Sequence, residues 1–195
     1  MRKLYLFDFD GTLTFRDTMF LFLKFYHPRR FYLSFLVHIP LFVLLKLKLA
    51  DAEKVKKSFI SAVLKGEKRQ EIEARAQEFF LRHHKALIRP NAQQFIDKIN
   101  RNQTEIYIVS ASLDIWVKPF ADNWGFKLLA TQADFDNEIF TGNFMGKNCN
   151  GDEKRCRIKT AIAHQKFDKT IAFGDSTGDR EMLAWADESH FEFFH

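Results

Sequence analysis

Cysteine is scarce in this 195-residue chain, which carries only Cys149 and Cys156. Two thiols cannot build a disulfide scaffold, and with no histidine or third cysteine near them they do not read as a thiolate metal site. An export signal is also missing: Met1-Arg2-Lys3 leads into only four apolar residues before Asp8, so the expected compartment is the cytoplasm. No uninterrupted apolar run approaches the ~18 residues of a membrane span. Internal repeats, low-complexity tracts and nucleic-acid-binding motifs are absent, and nucleic acid is not an expected partner despite a formal net charge of +5. Most unusual is a local lack. From Thr18 to Ala50 there is no acidic residue, while Lys24, Arg29, Arg30, Lys46 and Lys48 stand among many Phe and Leu.

What is present starts with Phe7-Asp8-Phe9-Asp10-Gly11-Thr12. Leu4 to Phe7 is a short, continuous apolar run, the pattern of a strand covered on both faces of a parallel sheet, and Gly11 breaks it. Asp8 and Asp10 then fall at the strand's carboxyl end, where open α/β sheets bind ligands. A period of two lets both lean toward one pocket. Acidic pairs before glycine are also common turn formers, so the pair gains meaning only from polar groups further along the chain. Ile106 to Val109 is a second buried-strand pattern, ending at Ser110, and Thr170 to Phe173 a third, ending at Gly174-Asp175 with Asp179 just beyond. Between them Gly151-Asp152-Glu153-Lys154 opens a helix expected to run through about Gln165. Lys154 there opposes the helix dipole. Taken alone it reads as a surface lysine offset by Asp152 and Glu153; within the set of four it reads as a functional cation.

These four segments resemble, in order, the motifs of the haloacid dehalogenase superfamily of phosphatases, in the branch that includes phosphoserine phosphatase. The likeness spans Asp8 to Asp179 and includes a hairpin near Thr141-Gly142. It implies a three-layer α/β Rossmann-like core with a central parallel sheet and an inserted helical cap. It also implies a Mg²⁺-dependent phosphomonoesterase. In that reading Asp8 is the nucleophile that forms an aspartyl-phosphate, and Asp10 the general acid and base, with Thr12 fixing the turn that carries it. Gly11, Thr12, Ser110, Ala111 and Lys154 hold the phosphoryl group; Asp8, Asp10 (through its backbone carbonyl) and Asp175 hold the metal; and Asp179 supports Lys154 or the metal.

The strand–helix alternation stops after Thr14 and resumes near Pro90, where Asn91 is a candidate helix cap. The expected division is a core of 1–14 and 89–195 with a helical cap of 15–88. Val55, Phe59, Ile60 and Val63, then Ile72, Ala76, Phe79 and Phe80, mark amphipathic helices, and His83 and His84 read as solvated hinge residues. The acid-free stretch has two readings: burial inside the cap, or rest in an anionic bilayer interface as a peripheral partner. A full span is disfavoured by His38 and Pro40. Relatives specific for phosphoserine carry a glutamate after the first motif, a cap arginine, and Ser-Gly-Gly at the second motif. Here stand Asp17, no arginine between Asp51 and Gly66, and Ser110-Ala111-Ser112. The greasy, basic cap is closer in composition to relatives acting on phosphorylated lipids, such as the phosphatidylglycerophosphatase of C type. The alternatives are a phosphatase of a small soluble metabolite such as phosphoserine, and a catalytically idle binding module at membrane surfaces.

Overall fold

The computed structural model describes every residue from Met1 to His195. Strand β1 (Lys3–Phe7) is followed by four consecutive helices: α1 (Thr18–Tyr26), α2 (Pro28–Lys46), α3 (Ala52–Leu64) and α4 (Arg69–Leu87). Next come α5 (Pro90–Lys98), β2 (Thr104–Leu113), α6 (Asp114–Trp124), β3 (Lys127–Asp136) and β4 (Ile139–Met145). The chain closes with α7 (Asp152–Ala161), β5 (Lys169–Gly174), α8 (Arg180–Trp185) and β6 (Glu188–Phe191). The six strands form one sheet in the order β4-β3-β2-β1-β5-β6.

Alternation along the strands creates two apolar faces. Leu4, Leu6, Val109 and Ala172 point to the side covered by Ile158 of α7 and Met182 of α8. Phe7, Ile106, Ile108 and Phe173 point to the other, under Ala92 and Ile96 of α5. There Phe7 stacks on Phe173 with ring centroids 4.8 Å apart. β1 lies between β2 and β5, parallel to both, and so Asp8 emerges at the middle of the sheet's carboxyl edge. The central sheet is parallel over β3-β2-β1-β5-β6, as expected, and the hairpin adds one antiparallel edge strand. β4 runs antiparallel to β3 because only Asn137 and Glu138 join them, both at positive φ (46° and 64°), a tight turn that only antiparallel neighbours accept.

Three local expectations shift. β2 continues through Ser110 to Leu113, with a register irregularity against β3 over that stretch. Helix α7 ends at Ala161, short of Gln165. Pro90, not Asn91, opens α5: its fixed φ suits the first turn, and the Asn91 amide instead donates to the Phe194 carbonyl at 2.8 Å.

Chain exit and return between the sheet and helices α1–α4 run side by side. The Phe15 amide donates to Leu87 O and the Arg89 amide to Leu13 O, each at 2.9 Å. Helix α3 is propped on the hairpin, where Gly66 N–H donates to Phe140 O and Phe140 N–H to Glu67 O. Phe22 of α1 stacks on Trp116 of α6 at 5.3 Å, seating the helices on the core. His83 and His84 are half-buried, not solvated, because their rings pack on Phe79 and Phe80 and His84 Nδ1 lies 2.8 Å from Phe80 O.

Helix α2 is outermost. His38 and Pro40 do not interrupt it: one helix runs through both from Pro28 to Lys46, and by length and composition it is apolar enough to cross a membrane. Only Phe31, Ser34 and His38 are buried, against α3, with His38 held between Ser34 O (2.7 Å) and Ser58 Oγ (3.0 Å).

Candidate active site

All candidate site residues converge at the carboxyl edge of β1, β2 and β5. Asp8 directly follows β1, its amide donating to Phe173 O of β5 at 2.9 Å. It is buried, and its Oδ1 accepts from Lys154 Nζ at 2.5 Å. Lys154 lies in the first turn of α7, which starts after Gly151 at φ +56°, and its ammonium is taken wholly out of water. It also donates to Asp179 Oδ1 at 2.6 Å. The other oxygen of Asp179 accepts from Ser176 N–H (3.0 Å) and Ser176 Oγ (2.8 Å), closing a capping box on the short turn Thr177–Asp179. The cation expected to oppose its helix dipole is therefore offset by two buried carboxylates.

One ammonium cannot fully compensate both. Lys154 and the Ser176 donors outweigh burial at Asp179 and hold its carboxyl below the usual range. Burial dominates at Asp8 and, aided by the charges of Asp179 and Asp10, pushes its pKa up to about 8 against the pull of Lys154. Deprotonating Asp8 would leave two carboxylates facing one ammonium, and a third carboxylate stands beside them. Ligand oxygens of Asp8, Asp175 and Asp179 lie within 4.8 Å of one another. An all-oxygen set suits a hard divalent cation such as Mg²⁺.

The loop after β1 is built around Asp175. Gly11 sits at φ +87°, and a Cβ there would collide with the Asp175 carboxylate. Thr12 Oγ1 donates to Asp175 Oδ1 at 3.0 Å. The turn itself is held by Thr14, whose hydroxyl accepts from Gly11 N–H (3.2 Å) and donates to Arg16 O (2.8 Å). The task expected of Thr12 thus falls to Thr14, while Thr12 positions a carboxylate. Asp10 is held by other partners: Oδ1 accepts from Thr18 N–H at 2.7 Å and Oδ2 from Ser112 Oγ at 2.5 Å.

Ser110 is buried in β2, its Oγ accepting from Ser112 N–H at 3.0 Å. The Ala111 carbonyl accepts from Thr131 Oγ1 at 2.8 Å and from Lys56 Nζ at 2.6 Å. Lys56 was not singled out from the sequence. It descends from α3, and burial lowers its pKa while Asp10 and Asp17 pull the other way. The available signal was its place on the inward stripe with Phe59, Ile60 and Val63. Ser112 was missed as an Asp10 partner because β2 was expected to end two residues earlier. Asp17 serves locally, capping α1 by accepting from Met19 N–H at 2.8 Å.

A cleft of about 950 Å³ lies outside this cluster, lined by Phe15, Leu21, Phe25 and Phe79 with Arg16 and Lys24 among them.

Comparisons with known proteins agree with this architecture. The family model of haloacid dehalogenase-like hydrolases matches residues 5–184. Protein CicA of Caulobacter vibrioides (strain NA1000 / CB15N) is 33% identical over 191 residues, covering 96% of this chain and 85% of its own. Among solved structures, a protein of unknown function from Bordetella pertussis Tohama I superposes with a TM-score of 0.79 at 19% identity, over 97% of this chain and 89% of that one. A phospho-aspartyl intermediate analogue of phosphoserine phosphatase superposes with a TM-score of 0.62 at 20% identity, over 96% and 85%. At these identities the structures share the fold. With a matched family model over most of its length and carboxylates gathered at the sheet's carboxyl edge, this chain belongs to the haloacid dehalogenase-like hydrolases.

Proposed function

We propose that the protein is a Mg²⁺-dependent phosphomonoester hydrolase working through an aspartyl-phosphate on Asp8. The observation that carries this is the buried Asp8–Lys154–Asp179 arrangement with Asp175 beside it. Asp8 and Asp175, with the Asp10 backbone carbonyl, would hold the metal. When bound, the cation offsets the repulsion between a carboxylate and an anionic phosphate.

In the first step an Asp8 oxygen attacks phosphorus, the bond to the leaving oxygen breaks, and protonated Asp10 gives that oxygen its proton. In the second, water attacks phosphorus and Asp10 takes its proton. The Asp8–phosphorus bond then breaks, releasing orthophosphate and restoring Asp8. Ser112 can serve Asp10 in both states, because a hydroxyl rotor donates to a carboxylate or accepts from a carboxylic acid. Lys154 holds Asp8 in place, and Ser110 with the backbone amides near Gly11 and Ala111 receives the phosphoryl oxygens. An idle binding module would have no use for burying a charge cluster at this cost.

The substrate proposed is a phosphorylated lipid met at the inner face of a membrane, by a cytoplasmic protein in peripheral contact with it. The acid-free helices, the apolar exterior of α2 and the cleft beside Phe15 and Arg16 support that class. Lys56 favours a second reading, a small soluble ester with an anionic group near the phosphate. The test is turnover by purified protein of an aryl phosphate, lipid phosphates in detergent and phosphoserine. Acid-quenched protein should carry phosphate on Asp8. No phosphatase activity on any of them overturns the chemistry; activity on soluble esters alone overturns the lipid class.

A further inference from the structure

On α2 the buried side chains, Phe31, Ser34 and His38, recur three and four residues apart and define its inner face, with Phe31, His38 and Phe42 packing on Phe59 of α3. Opposite lie Leu33, Leu36, Val37, Pro40, Val43, Leu44 and Leu47. Leu36 is 62% and Val37 74% exposed, and the others remain open to solvent. A soluble monomer rarely leaves so continuous an apolar face uncovered. Its charges lie at its ends: Arg29 at the start, Lys46 and Lys48 at the finish, all exposed and with no carboxylate partner. Arg30 differs, being paired with Glu67 at 2.6 Å.

We propose that this face of α2 docks the protein in the plane of an anionic lipid bilayer. Charge complementarity chooses the occupant. Cations at both ends of an apolar strip, with no acidic residue from Thr18 to Ala50, match a surface that is apolar beneath and anionic above. A second copy would meet the same cations on its own face, with no acid in the stretch to receive them. The His38 bridge between Ser34 and Ser58 decides against a span. Crossing the bilayer would tear α2 from α3 and take a buried, hydrogen-bonded imidazole into hydrocarbon. The proposal stands apart from the chemistry above, since vesicle binding can succeed where lipid-phosphate turnover fails, and the reverse.

The experiment is sedimentation of full-length protein with phosphatidylglycerol-containing vesicles and with pure phosphatidylcholine vesicles, at low and high salt. Binding is expected to anionic vesicles at low salt and to weaken as salt rises. Arg29→Glu/Lys46→Glu/Lys48→Glu should lower partitioning by more than roughly 100-fold, since three attractions are lost and three repulsions added. Leu36→Gln/Val43→Gln should lower it at either salt, and L36W should shift its emission to the blue on vesicles. Hydrolysis of a soluble aryl phosphate should be unchanged in all of them. Failure of the wild type to bind anionic vesicles at low salt overturns the proposal. So does a wild-type dimer that Leu36→Gln/Val43→Gln returns to monomer.

Discussion

Around Lys154 charged groups have been taken out of water, whereas along α2 apolar groups have been left in it. Each departs from the ordinary partition, and each forgoes stability. Burying an ion costs several kcal/mol that pairing recovers only in good geometry. An exposed Leu or Val gives up about 1.5–3 kcal/mol of burial. The two differ in what completes them. The charge cluster is hydrogen-bonded on nearly every side and lacks only countercharge, while the α2 face lacks a partner altogether. The first is a site that already holds its shape; the second is a surface that acquires its energy on contact.

The largest expected effect tests the charged region. Asp8→Asn should lower kcat/KM for an aryl phosphate by roughly 10⁴-fold or more with the fold intact, measured as turnover alongside circular dichroism. Asp10→Asn should follow, sparing esters with good leaving groups because these depart without a proton.

Removal of metal comes next. Chelator should abolish turnover and Mg²⁺ restore it, and Mg²⁺ should also raise the melting temperature of the inactive Asp8→Asn protein less than that of wild type, since one ligand is lost. Absence of any thermal shift in wild type would count against the assigned oxygens.

Stability then separates the regions. Asp179→Ala removes one of two charge-assisted partners of Lys154 and should cost about 1.5–3 kcal/mol in urea titrations. Because Asp179 is held below the usual carboxylate range, its stabilisation is complete above its unfolded pKa of about 3.9 and is lost as pH falls through the folded value. The penalty should therefore shrink in acid below about pH 4. Leu36→Gln, replacing an apolar residue on the open face of α2, should change stability by no more than about 0.5 kcal/mol. A cost of several kcal/mol there would erase the contrast, for it would mean that the face is covered within the fold.

Much of the site could be read along the chain because its parts are local. Asp8, Ser110 and Asp175 each belong to an apolar run meeting a polar break, and Lys154 follows a glycine at a helix start. Such patterns record burial and backbone geometry within a few residues. What escaped depends on distant pairings. Ser112 reaches Asp10 because β2 keeps pairing with β3 past Ser110, and Lys56 enters the site because the β3–β4 hairpin props α3 over Ala111.

The residues alone specify the strand ends and the carboxylates they carry, since alternation and chain breaks act over single steps of the backbone. Which carboxylate is pushed up in pKa and which is held down, which lysine is buried, and which side of α2 is left bare were decided only when elements far apart in sequence came together. Solvation and Coulomb energies depend on distance in space, and that distance is set by packing. The acid-free stretch shows the division well. Its composition stated that it was apolar and basic, but only packing determined that Met19, Phe22 and Leu23 of α1 turn inward while Leu33, Leu36, Val37 and Val43 of α2 face outward.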